Sequence, residues 1–164
     1  MPLFVQSVAS LSLDAAQIFY EVTGNGPAIV LINGGGLDCR MWQPQVGPFS
    51  RHFRVLRYDP RAIGRSETTD RTAIWSPRHD LRLLLSHLGI ERAHVIGLSW
   101  GGSLAIDFAL DYPSIVSSLV LVAPGVSGYT HADVDQFLDQ LDRALDRGDL
   151  AAITPPGRGH RAKD

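Results

Sequence analysis

The chain has 164 residues, 45% of them apolar and 20% charged, the make-up of a soluble folded domain with a real core. A formal net charge of -2 gives no electrostatic footing for nucleic acid or an anionic membrane. One cysteine, Cys39, excludes an intrachain disulfide. With no basic stretch leading into an apolar core at the N-terminus and no run of membrane-spanning length, the chain reads as cytoplasmic, without signal peptide or membrane span.

Leu3 to Leu13 gives short β-like runs, and Gln17 to Val22 alternates as a strand should. The turn Thr23-Gly24-Asn25-Gly26-Pro27 separates it from Ala28-Ile29-Val30-Leu31-Ile32, whose unbroken apolar run predicts a strand buried on both faces. Met41 to Phe49, interrupted by Pro44 and Pro48, predicts a short helical or irregular piece, and Phe53 to Tyr58 another strand. Ser76-Pro77 is a helix start, a capping residue before proline. The helix that follows aligns Leu81, Leu84, Leu85 and Leu88 on one face and stops at Gly89. Ala93 to Gly97 predicts a strand, about Gly101 to Asp111 a helix stopped by Pro113, and Leu119 to Val122 a last buried strand. Asp133 to Arg147 predicts an amphipathic helix carrying Val134, Phe137, Leu138, Leu141 and Leu145, and after Thr154 no apolar periodicity remains.

Strands alternating with helices imply an α/β fold: a mostly parallel sheet of about six strands flanked by helices, with functional residues at the carboxyl ends of the strands. Asn33–Gly36, Asp59–Ser66 and Ser99 all fall at such ends. Ser99 lies in Gly97-Leu98-Ser99-Trp100-Gly101, a G-x-S-x-G pentapeptide between a strand and a helix. On a sharp turn there, the hydroxyl is exposed and the residues two before and two after approach closely, so both must be small. A serine needs a base to become a nucleophile and two N–H donors to hold the oxyanion that forms. The amides of Trp100 and Gly35 are the candidate donors, with Gly34, Gly36 and Trp42 as candidate pocket residues. Trp100 is open between pocket wall and packing, and Trp75 reads as packing. Neither G-K-[ST] nor a clear G-x-G-x-x-G follows the glycine run, which speaks against a phosphate cradle.

Asp59, ahead of an arginine-containing turn, is expected to fix that turn by ion pairing, and Cys39 to be an unreactive loop thiol. Among the six histidines, His52, His79 and His87 read as surface or helix-end residues, His94 precedes the Ser99 turn, His131 lies in a linker and His160 on the tail. None is placed to serve as the base, and none has the i, i+4 spacing of a zinc site, so no metal is expected.

The stretch Ile18-Phe19-Tyr20-Glu21-Val22 to Pro27, the loop Leu31-Ile32-Asn33-Gly34-Gly35-Gly36, Asp59-Pro60-Arg61-Ala62-Ile63-Gly64-Arg65-Ser66 and Val95-Ile96-Gly97-Leu98-Ser99-Trp100-Gly101-Gly102 resemble, in that order, the α/β-hydrolase superfamily. The resemblance covers about Gln17 to Ala123 and implies a serine hydrolase acting on small-molecule esters or related carbonyl compounds without a cofactor. Serine at the nucleophile position argues against the branches that use an aspartate ester. Asn33 stands where the family has histidine, and Ala62 where its D-x-R-G-x-G-x-S pattern has glycine. The family's triad acid and histidine follow the serine, beyond a helical cap. On that reading residues 1–126 are a core lacking the last strands, 127–153 the start of the cap and 154–164 a disordered tail. The chain would then be a truncated hydrolase; the alternatives are an inactive binding module or a half-enzyme completed by another chain. Self-association through an exposed sheet edge is also expected.

Overall fold

The computed structural model describes residues 5–70 and 72–127, together with Asp139 and Arg143. β1 (Val5–Leu13) turns through Ala15, at φ 56°, into β2 (Ala16–Thr23), and the two pair antiparallel with Leu11 opposite Ile18. Gly24 follows at φ 80°, where an added β-carbon would overlap the backbone of Ser50 and Phe53, so glycine is required. Then come β3 (Ala28–Ile32), a 3-10 turn (Cys39–Trp42), α1 (Gln43–Phe49), β4 (Arg54–Tyr58) and the short β5 (Glu67–Thr68). α2 (Pro77–His87), β6 (Ala93–Leu98), α3 (Trp100–Asp111) and β7 (Val116–Val122) complete the described elements. α2 begins as its sequence predicts: the Ser76 hydroxyl accepts the His79 amide at 3.4 Å, and Pro77 occupies the first turn. Past its end Gly89 takes φ 64°.

The sheet has seven strands in the order β1-β2-β4-β3-β6-β7, with β5 attached to β2. β4, β3, β6 and β7 are mutually parallel; β1, β2 and β5 run antiparallel to their neighbours. The fold is thus the expected α/β arrangement, with β5 as the addition. A two-residue strand is too short to show any periodicity.

β3 shows why a continuous apolar run was needed. Val30 and Ile32 face a core built with Leu81, Leu84 and Leu85 of α2 and Leu104, Ala105 and Phe108 of α3. Ile29 and Leu31 face a smaller cluster with Trp42 and Val55, against which Met41, Phe49 and Phe53 pack. Each such buried side chain contributes about 1.5–3 kcal/mol relative to exposure. Helices on both faces hold β3 and β6 at the sheet centre, and their carboxyl ends open on the same edge.

β7 forms where its composition predicts a buried strand, but Leu119, Val120, Leu121 and Val122 are each between 36% and 49% exposed, as the expected open sheet edge requires. The cause is position: β7 ends the sheet, and among the described residues no strand pairs with its outer edge. Residues through Ser127 form one compact unit. Apart from Ser127, Asp139 and Arg143, the expected cap (127–153) and tail (154–164) lie outside the described residues; Asp139 and Arg143, within the expected helix, are both helical. No described helix is long and apolar enough to cross a membrane.

Candidate active site

β6 ends at Leu98 and α3 begins at Trp100, so the whole change of direction falls on Ser99, at φ 50° and ψ -116°. Such a backbone costs a non-glycine residue on the order of 1–3 kcal/mol, and surrounding bonds hold it. The Ser99 amide donates to the Val122 carbonyl of β7 at 2.9 Å, and its carbonyl accepts from Gly102 at 2.8 Å and Ser103 at 3.1 Å. The backbone is thereby committed while the residue itself stays exposed. Both flanking glycines are sterically necessary. A β-carbon on Gly97 would overlap the Gly101 carbonyl, and one on Gly101 would overlap the carbonyl oxygens of Asn33 and Ile32. Gly102 is similarly pressed by Pro124, at 2.8 Å.

The amide of Trp100 precedes the first bonded amide of α3, that of Gly102, and so has no intrahelical acceptor. Beside it runs the glycine loop from the end of β3. The position a β-carbon would take on Gly35 is 3.5 Å from the Trp100 β-carbon, so the two segments expected to supply N–H donors adjoin. Gly34 lies against Leu98 and Leu37, and Gly36 has φ 72° with open space beside it.

Both ends of this loop are tied to the end of β4. At one end, the Asn33 side-chain amide donates to the Tyr58 carbonyl at 3.0 Å. At the other, the Cys39 amide donates to an Asp59 carboxylate oxygen at 2.7 Å. Asp59 also accepts the Arg65 amide at 2.8 Å, with the Arg65 guanidinium 3.7 Å away. Ser66 bridges the Asp59 carbonyl, at 2.6 Å, and the Phe19 amide, at 2.9 Å. Asp59 is fully buried and fixes its turn as expected. Ala62, where the family pattern has glycine, takes φ 59° in that turn.

Beneath this turn lies an ion cluster that sequence reading missed. Glu21 and Arg57 are direct cross-strand partners in β2 and β4, with Arg57 Nε donating to Glu21 at 2.7 Å. Arg65 reaches the other Glu21 oxygen at 3.1 Å and lies over the Phe19 ring at 3.5 Å. The available signal was a charged residue at matched positions of two otherwise apolar strands. Cys39, expected as an unreactive loop thiol, opens the 3-10 turn and sits fully buried inside this cluster, where the ion-paired turn closes over it. Burial and the neighbouring Asp59 and Glu21 carboxylates push its thiol up to about 12. Burial also raises the Tyr58 hydroxyl, which has no hydrogen-bond partner among the described residues.

The tryptophans exchange roles. Trp42, a candidate pocket residue, is instead buried against Ile29, Leu31 and Val55 by the 3-10 turn and lines neither of the cavities that Trp100 borders. Trp75, expected to pack, is 41% exposed and with Trp100 lines two cavities, of about 220 and about 280 Å3. The smaller also borders Gly34, Gly35 and Gly36. Trp75 is positioned by Arg61, whose guanidinium lies 5.6 Å from its ring and pairs with Asp80 at 2.6 Å.

Among the described residues, no histidine hydrogen-bonds Ser99. His52 and His79 are exposed, His87 contacts the Tyr20 hydroxyl at 3.3 Å, and His94 pairs with Ser118 at 2.8 Å. His131 and His160 lie outside the described residues. No described group of three or more His, Cys, Asp or Glu residues could hold a metal ion.

A parallel sheet with this strand–turn–helix bend facing a glycine loop defines a class. Residues 27–160 match the family described as alpha/beta hydrolase fold, and the chain belongs to that family. The chain is 32% identical over 131 residues to a 2-hydroxy-6-oxo-6-phenylhexa-2,4-dienoate hydrolase of Comamonas testosteroni, covering 76% of this chain and 46% of the relative. It is 42% identical over 104 residues to 3-oxoadipate enol-lactonase 1 of Acinetobacter baylyi, covering 62% and 39%. It thus spans less than half the length of these curated relatives. Among solved structures, a hydrolase from Pseudomonas aeruginosa PA01 matches with a TM-score of 0.72 at 31% identity, covering 88% of this chain and 55% of that one. MGS-M2, an alpha/beta hydrolase from a deep-sea metagenome, matches with a TM-score of 0.77 at 28% identity, covering 88% and 54%.

Proposed function

We propose that Ser99 is the nucleophile of a serine hydrolase acting on esters or related carbonyl compounds, with the Trp100 and Gly35 amides stabilising the tetrahedral oxyanion. The backbone of Ser99, at φ 50° between a central strand and a helix, is the observation that carries this reading. Attack by the hydroxyl oxygen on the carbonyl carbon would place the oxyanion between two segments already in contact. No cofactor enters this chemistry. The base that takes the serine proton comes from outside the described residues, and in this reading the chain carries the nucleophile-bearing part of the catalytic apparatus.

The second reading is a binding module that keeps the pocket without turnover; the two cavities shared by Trp75 and Trp100, which need no reaction at Ser99, favour it. A fluorophosphonate probe separates the two. Phosphonylation abolished by Ser99→Ala supports the nucleophile. Without a base, only oxyanion stabilisation and binding act, which in the serine-protease example leave about 10³–10⁴ over water. Labelling that is absent, or equal in Ser99→Ala, leaves the binding module. The exposed apolar residues of β7 support self-association, which light scattering measures. The cytoplasmic setting rests only on the sparing use of cysteine, with Cys39 alone in the sequence.

A further inference from the structure

We infer that the two cavities walled by Trp100, the residue after Ser99, select an uncharged apolar group on the substrate and turn away carboxylates, with Trp75 and Trp100 as the specificity-determining residues. The inference deepens the hydrolase reading, resting on it only for the relation of these walls to the reacting centre.

The cavity bordering the glycine loop, about 220 Å3, is walled by Leu37, Ile63, Trp75 and Trp100. Among the described residues its one cation is Arg61, and that cation is already neutralised. Its Nε and Nη2 donate to the two Asp80 oxygens at 2.6 and 2.9 Å, and Nη1 donates to the Asp14 carbonyl at 2.7 Å. Both charged groups are buried. A substrate carboxylate reaching the remaining Arg61 N–H groups would share an already neutralised guanidinium with Asp80, setting two anions side by side in a poorly solvated site.

The adjoining cavity, about 280 Å3, shares both indoles. Its cation, Arg78, is paired with Asp111 at 3.0 Å. Its anion, Asp107, accepts the Ser127 hydroxyl at 2.6 Å and has no ion-pair partner among the described residues. An incoming carboxylate therefore meets two neutralised arginines and one standing negative charge. An apolar or aromatic group meets two half-exposed indoles, whose burial is favourable at either face. This separates the chain from the two curated relatives above, whose names specify a dienoate and an oxoadipate derivative.

The test is equilibrium binding of phenylacetamide and of phenylacetate to Ser99→Ala protein, read by saturation-transfer NMR titration. Because that protein lacks the serine hydroxyl, a failure of Ser99 to react with the fluorophosphonate leaves this measurement intact. The expected result is phenylacetamide binding at least about tenfold tighter than phenylacetate, the scale of one uncompensated charge contact. Trp75→Ala then weakens phenylacetamide about fivefold and Trp75→Phe restores most of it. Asp107→Asn strengthens phenylacetate and leaves phenylacetamide unchanged. Equal or tighter phenylacetate binding, no binding of either compound, or phenylacetamide binding indifferent to Trp75→Ala overturns the inference.

Discussion

Gly97 and Gly101 lie so close across the Ser99 bend that no β-carbon fits on Gly97 without overlapping the Gly101 carbonyl. The overlap is with backbone, which cannot rotate aside as a side chain can. Gly97→Ala is therefore expected to destabilise by about 1–3 kcal/mol and to displace Ser99. The check is a urea melt beside the fluorophosphonate rate. A variant that loses neither stability nor labelling removes the steric argument.

Strain relief gives the opposite sign. Ala62 at φ 59° and Ser99 at φ 50° are held in backbone that glycine adopts freely. Ala62→Gly should gain on the order of 1 kcal/mol, the left-handed penalty of a β-carbon less the added freedom of the unfolded chain. Ser99→Gly should raise the urea midpoint similarly while abolishing labelling. Such a pairing, more stable and unreactive, is the signature of strain kept at a functional residue.

The Glu21–Arg57 pair predicts asymmetric costs. Glu21→Ala strands the buried Arg57 and should cost about 3–5 kcal/mol, whereas Arg57→Ala leaves Glu21 paired with Arg65 and should cost less. Replacing both with apolar residues of similar size, Glu21→Leu with Arg57→Met, should cost less than Glu21→Ala. Urea midpoints of the three variants check the order.

Cys39 predicts both reactivity and pH dependence. With its thiol held near 12 against an ordinary 9.0, the folded protein should resist iodoacetamide at pH 8 and react only on unfolding. The raised value means the fold favours the neutral thiol. That stabilisation is intact below pH 9.0 and is lost as the pH climbs towards about 12. Cys39→Ser should flatten this alkaline loss; rapid alkylation of folded protein contradicts the burial.

What the sequence made legible was what local chemistry determines. The unbroken apolar β3, the Ser76-Pro77 start, Gly89 after α2 and the small residues around Ser99 each carry their cause within a few positions. What it hid depends on partners distant in the chain. Glu21 and Arg57 are 36 positions apart and meet only through strand register. Cys39 is buried because the Asp59–Arg65 turn folds over it. Trp42 and Trp75 exchanged roles because burial depends on what arrives from elsewhere in the chain: Ile29, Leu31 and Val55 cover Trp42, whereas Trp75, just before α2, meets Arg61 and stays exposed. β7 reads as a core strand by composition, yet its exposure is set by its place at the end of the sheet order.

The most direct test of the account is a crystal structure of the protein after exposure to a small fluorophosphonate. It should show phosphorus bonded to the Ser99 hydroxyl oxygen, positive φ at that residue, and a phosphonyl oxygen about 2.7–3.1 Å from both the Trp100 and Gly35 amide nitrogens. An unmodified Ser99 within a continuous helix, or an adduct whose oxygen meets neither amide, would contradict it.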